Sequence, residues 1–359
     1  MFAAIYDENL NHITNIQHLV YDLTRRVYDF DTFNVEGVSP EDINNAKIAV
    51  INDDYGNYKY ACFVDYITPE NDKRKIKAKD LRDLWDNEIL IDYTAEDSFD
   101  PQLDAIFSKI AELLFATTDA VITKIPVEVN IPEDTTDTSI MFGSLQGTYQ
   151  IANAYAFLKI YLKYYEYNIN SYFDVNNGKI IFDFVKNTEI KSINLKDFIY
   201  ELTTTSSATN KTVATIEFKP TEEIAERPSD IATKYYYRLA TNEIAESTAS
   251  GDILDRIYPV KCKVFEAEYL AEAQLNAVYE LADARYVDNI IISANQLLDP
   301  INLTNLPLYT KIQIHYDGQL YKTLPVGEII TQVNRRGENT QIRLGFKKIL
   351  FTEIVKKGV

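Results

Sequence analysis

A chain of 359 residues has room for two or three domains with buried cores, and its 46% hydrophobic and 25% charged residues are those of an ordinary globular protein. Its 36 basic and 54 acidic residues leave a net charge of −18, which argues against a grip on phosphate backbones, because that needs a basic surface. Cys62 and Cys262 have neither metal-ligand spacing nor the makings of a disulfide framework, and no apolar run approaches the roughly 20 residues that span a bilayer.

Residues 1 to about 95 read as mostly strand, and the opening Met1 to Asp7 lacks the basic flank and long apolar core of a signal peptide. The spacing predicts strands over Phe2 to Tyr6, Leu19 to Phe30, Lys47 to Ile51 and Tyr58 to Ile67, with a polar hairpin loop at Asn52 to Asn57. A second hairpin at Thr68 to Asp72 leads into Arg74 to Ala78, and a short helix is expected from Lys79 to Trp85.

The composition then changes. Asp100-Pro101 pairs a helix cap with a proline at the first helical position, followed by an amphipathic stripe of Leu103, Ile106, Phe107, Ile110, Leu113 and Leu114. Val121 to Val129 reads as a strand, and Ile131 to Ser139 as an acidic loop. Two apolar stripes between Leu145 and Tyr165 predict a helix buried on two faces. Tyr172 to Val185 reads as a hairpin turning at Asn177-Gly178, Leu195 to Leu202 as a short helix, and Thr212 to Phe218 and Lys234 to Leu239 as strands.

In the last third, Ala271, Leu275, Val278 and Ala282 recur at helical spacing. Asp288 to Ala294 and Lys311 to Tyr316 then read as strands, the second turning at Asp317-Gly318. Glu328 to Val333 and Thr340 to Phe346 form a hairpin across Arg335-Arg336-Gly337, with Ile342, Leu344 and Phe346 on one face. The fold class expected is α+β and mostly β. Two small antiparallel β-barrel, tube-like modules (residues 1–95 and, after a helix, 251–359) flank a mixed α/β middle domain of residues 96–250.

No constellation for catalysis stands out. His12, His18 and His315 lack partners at useful spacing, and no nucleophile elbow, zinc helix motif or phosphate loop occurs. Asn52 to Asn57 and Asp174 to Lys179 echo calcium loops, yet the glycine offset is wrong and no glutamate closes either, so hairpin turns are expected. Catalytic, cofactor and metal residues are therefore expected to be none. The basic doublets Arg25-Arg26 and Arg335-Arg336 stand out in an acidic chain, either as solvated strand ends or as subunit contacts pairing with a neighbour's carboxylates.

Three segments carry a resemblance. Arg256-Ile-Tyr-Pro-Val260 precedes the last helix, Leu344-Gly-Phe346 leads into a basic tail ending near Lys357, and Asp80-Leu-Arg82-Asp-Leu84 follows the first strands. In this order they resemble the tail-hub proteins of long-tailed bacteriophages, the family of tail-tip and tail-associated lysin platforms, without a C-terminal lytic extension. The resemblance implies a structural subunit of the virion tail tip, assembled in the host cytoplasm, that is not an enzyme. It implies a homotrimer closing the tail tube, docked to the distal tail protein ring and other tail-tip or baseplate proteins, with the tape-measure protein C-terminus as a further partner. DNA would pass without specific nucleic-acid binding. It also implies that the two end modules superpose to give a pseudo-six-fold ring; if they pack into one shared sheet, or adopt unrelated folds, the hub assignment fails. The rival expectation is a surface glycan-binding or glycan-hydrolysing β protein.

Overall fold

The structure is a computed structural model that describes residues 1–38, 43–70, 73–92, 102–116, 125–138, 149–203, 213–218, 235–238, 244–245, 262–267, 289–295, 306–334 and 337–345. The N-terminal strands are β1 (Phe2–Tyr6), β2 (His12–Arg26), β3 (Thr32–Val38), β4 (Ile48–Asn52), β5 (Tyr58–Glu70) and β6 (Lys73–Asp80). They pair antiparallel in the order β1-β4-β5-β6-β3-β2, and β1 pairs back onto β2, so the six strands close into a barrel. Closure pairs the first and last strands of that order, whose edges an open six-stranded sheet would expose.

Alternation along each strand fills the barrel. Ala3 and Ile5, Phe33 and Val35, Ala49 and Ile51, Tyr60 and Cys62, and Ile76 and Ala78 all point inward. On β2 the inward set changes from Thr14 and Ile16 to Leu19, Tyr21 and Leu23, an even-to-odd switch that needs one extra residue. The pairing of β2 with β3 supplies it as a bulge between Gln17 and Val20, where His18 adopts a left-handed φ of 54°. Opposite the bulge, Gly37 leaves no room for a side chain: a Cβ there would lie 2.4 Å from Ile16 Cγ2 and 2.8 Å from the Gln17 carbonyl oxygen. The other face of β4 and β5, through Ile48, Val50 and Ala61, packs into a second core. Buried on both faces, β4 reads as an unbroken apolar run, Ile48-Ala-Val-Ile51.

That second core gathers the middle of the chain. A 3₁₀ turn at Leu81–Trp85, capped by Asp80, leads to β7 (Glu88–Asp92), α1 (Leu103–Phe115), β8 (Val127–Asn130), β9 (Tyr149–Asn153), α2 (Ala154–Tyr165), β10 (Tyr167–Asp174) and β11 (Lys179–Lys186). The α1 stripe is as expected at Leu103, Ile106, Phe107 and Ile110, which are buried, whereas Leu113 is exposed. Trp85 centres an aromatic cluster, 4.9 Å from Phe115, 5.4 Å from Phe182 and 5.7 Å from Phe184 between ring centroids. Asn177-Gly178 does turn the β10–β11 hairpin, with Gly178 at φ 62° and the Asp174 carboxylate accepting from the Asn176 and Asn177 amides.

Two expected helices are corrected. Within the span from Leu145 to Tyr165, Tyr149–Asn153 is a strand paired with β7, and the helix begins only at Ala154, where the Asn153 side chain accepts from the Ala156 amide at 2.9 Å. From Leu195 to Leu202 only Leu195–Asp197 forms a 3₁₀ turn before a strand begins at Ile199. In both places a distant strand supplies backbone partners that local spacing cannot show.

The remaining strands are β12 (Ile190–Asn194), β13 (Ile199–Thr203), β14 (Val213–Phe218), β15 (Tyr235–Arg238), β16 (Ile244–Ala245), β17 (Cys262–Ala267), β18 (Asn289–Asn295), β19 (Lys311–Tyr316), β20 (Gln319–Asn334) and β21 (Gly337–Leu344). Strands β14 to β17 form a separate sheet in the order β16-β15-β14-β17. The others run β12-β19-β20-β21-β18-β13, with Asp317 and Gly318 both at positive φ in the β19–β20 turn. The expected helix through Ala271 to Ala282, together with Phe346, Arg335 and Arg336, lies outside the described residues.

The two end units are not separate. β1 bonds the edge of β2 along His12 to Gln17, and β20 takes over along Tyr21 to Arg26, so both units belong to one twelve-stranded sheet. The cause is length: β2, with 15 residues, outruns its barrel neighbour, and β20, with 16, outruns β19. Ile342 and Leu344 are buried as their alternation predicts, but against the middle of the chain, in the core that also holds Trp85, Phe107 and Phe182.

Candidate functional site

Where the barrel meets β20, a chain of charges runs through the protein. Arg82 follows β6 in the 3₁₀ turn and is only 2% exposed, as is Asp80. Its Nε donates to Asp80 Oδ2 at 2.8 Å, Nη1 to the carbonyls of Arg26 and Val27, and Nη2 to the Asp29 carbonyl at 3.0 Å and Asp31 Oδ1 at 2.6 Å. Every N–H of the guanidinium is thereby used. Asp80 also accepts from the backbone amides of Arg82 and Asp31, and Asp31 accepts from the Arg26 amide and the Tyr60 hydroxyl. Burial, with Asp80 nearby, pushes the Asp31 carboxyl up to about 6 against the pull of Arg82. Burial opposes the charge on Arg82, yet Asp80 and Asp31 hold its pKa well above the ordinary range.

The chain continues outward through Arg26, whose Nε donates to Glu328 Oε1 at 3.0 Å and Nη1 to the Phe30 carbonyl at 3.0 Å. Glu328, on β20, also pairs with Arg343 on β21. Of the four arginines singled out in the sequence, Arg26 therefore has partners within its own chain. Arg25 instead lines a cleft of about 280 Å³ beside Asp31 and Arg82.

In the sequence Asp80 and Arg82 stand only in the segment that carries the resemblance, and nothing local marks Asp31, Glu328 or Arg343. The Asp80-Leu-Arg82 spacing places two opposite charges at a strand end, and that was the one local signal. The calcium-like loops are turns: Asp53 accepts from the Tyr55 and Asn57 amides and from the Asn57 side chain. Among the described residues no group of three or more His, Cys, Asp or Glu could hold a metal ion, and no helix is long and apolar enough to cross a membrane. Around Arg82 the charged joint holds its groups by saturated bonds, which is the chemistry of a clamp.

No protein-family model matches the chain, and no curated protein matches it in sequence. Its fold is similar to that of the 43 kDa tail protein of prophage MuSo2 from Shewanella oneidensis, at 13% identity and a TM-score of 0.55, over 96% of this chain and 98% of that one. Prophage tail protein gp18 from Listeria monocytogenes is similar at 8% identity and a TM-score of 0.55, over 100% and 98% of the two chains. A tail protein from Neisseria meningitidis is similar at 10% identity and a TM-score of 0.53, over 98% of each. The chain's fold is thus similar to that of these phage tail proteins, as the resemblance implied, though the two separate end barrels it also implied are replaced by one sheet.

Proposed function

We propose that the chain is a structural subunit of a phage tail tip, a hub that closes the distal end of the tail tube and carries no enzymatic activity of its own. The observation behind it is the length of the likeness, which takes in nearly all of this chain and of each tail protein. The subunit works as a homotrimer docked to the distal tail protein ring and to other tail-tip or baseplate proteins, with the tape-measure protein C-terminus within reach, and it opens for DNA during infection. Its organisation follows the three regions 1–95, 96–250 and 251–359, and the two end units alternate around the ring in pseudo-six-fold fashion. Arg25, Arg335 and Arg336 stand at subunit contacts, while Arg26 works inside the chain. The sheet shared through the β2–β20 ladder counts against two separate end barrels, so the reading rests on the likeness to tail proteins and not on that architecture.

Size-exclusion chromatography with light scattering, followed by electron microscopy of the same peak, tests this. A trimer with six similar densities around a central opening is expected. A monomer at the concentrations of assembly would overturn the hub.

A further inference from the structure

The cleft beside Arg25 is bounded by strand edges. It is lined by three consecutive residues of β5, Tyr58 to Tyr60, and three of β10, Ile169 to Ser171. Successive side chains of a strand point to opposite faces, so three in a row line one cleft only where the cleft meets the strand's edge. On each strand one edge is unpaired there among the described residues, β5 being bonded to β4 along the other. β10 pairs with β11 alone, and β5 meets β6 only from Cys62 onward.

The charge at this cleft is opposite to that of the chain. Arg25 and Lys59 line it; among the described residues neither has an ion pair or hydrogen bond, although Arg25 lies near enough to Asp31, and Lys59 to Asp53, to favour those carboxylates. Asp31, the carboxylate beside them, is turned inward and occupied by Arg82, Tyr60 and the Arg26 amide. An apolar segment, Leu306 to Leu308, completes the wall. Unused backbone edges, two free cations and an apolar wall match an extended peptide with carboxylates. A nucleic acid would use the cations alone and would meet the −18 charge of the rest of the chain.

We propose that this cleft receives an extended acidic peptide segment of a partner protein, its backbone pairing with the free strand edges and its carboxylates meeting Arg25 and Lys59. The site specifies the contact that the tail-tip reading gives Arg25, and it rests on that reading only for which protein donates the segment.

Fluorescein-labelled hexaglutamate, titrated with the full chain at low salt and followed by anisotropy, is the direct probe. Saturable binding is expected, weakened about tenfold or more by the double variant Arg25→Ala/Lys59→Ala, as loss of two charge contacts implies. Lys47→Ala, at an exposed barrel lysine that does not line the cleft, should bind like the wild type. Lys59→Ala alone, at an exposed side chain, reports the same loss in smaller degree if the double variant does not fold. The proposal fails if hexaglutamate does not saturate, or if the cleft variants bind as well as the wild type. It fails equally if a single-stranded oligothymidylate binds more tightly and is lost in the same variants. A monomeric wild type that still binds hexaglutamate would sink the trimeric hub and uphold the cleft.

Discussion

A guanidinium removed from water must be met by acceptors on every N–H, and Arg82 finds them in Asp80, Asp31 and three backbone carbonyls. Two carboxylates on one guanidinium leave a buried negative charge, and removing the cation would strand both. Arg82→Met should therefore cost about 3–5 kcal/mol in chemical denaturation, the range for breaking a buried ion pair from one side. A loss near zero would show that the cluster contributes no net stability. The same cluster sets a pH dependence. Burial, with Asp80 beside it, raises Asp31 from 3.8 to about 6, so across that window the native state holds a proton that the unfolded chain has released. Stability from this group is present at the acid end and falls as the pH rises through 6. Asp134 titrates below the window: hydrogen bonds from Thr136 and Tyr167 outweigh its burial and bring it down to about 2. Urea denaturation at steps across the window should show Asp31→Asn with a flatter profile than the wild type. Parallel profiles would remove Asp31 from the account.

Among the elements, β2 and β20 decide the architecture, because each is long enough to serve two neighbours along one edge. Glu328 sits where they meet, 8% exposed, between Arg26 of β2 and Arg343 of β21. The side chain of Arg26 is 30% exposed, so water screens part of the interaction and the effect is smaller than at Arg82. Glu328→Ala should cost about 1–3 kcal/mol by thermal or urea unfolding. An unchanged midpoint would mean that backbone pairing and apolar contacts alone join the units. Much of this level was legible in the sequence. Asp317-Gly318 and Asn177-Gly178 name their turns because few residues tolerate positive φ, and the α1 stripe names its buried face. The strand Tyr149–Asn153 was not legible, since its partner β7 lies some 60 residues earlier and its apolar residues also fit a helix. Nor was the charged joint: Arg26 and Glu328 are 302 positions apart, and only the fold makes them neighbours. For the same reason the sequence suggested two separate barrels where one sheet runs through both units.

At the scale of the molecule, charge governs what a tail-tip ring can let pass. Each chain carries −18, so in the proposed trimer three copies around an opening would set up a field that repels a polyanion within a Debye length of the wall, about 10 Å at 0.1 M salt. A basic lumen would do the reverse, because every phosphate contact releases counterions and strengthens binding at low salt. The two free cations at the cleft do not alter this balance, since a pair of contacts gives a shallow salt dependence and weak attraction. Beside the barrel joint, ion pairs hold Arg26 to Glu328, Arg82 to Asp31 and Lys159 to Asp29, so these three are not offered to DNA. The purified chain should therefore leave linear duplex DNA unretarded in a gel-shift assay, even at the lowest salt at which the protein stays soluble. A retarded band that fades as salt is added would reveal a basic surface facing the opening, and the picture of DNA sliding past a repelling wall would have to be given up.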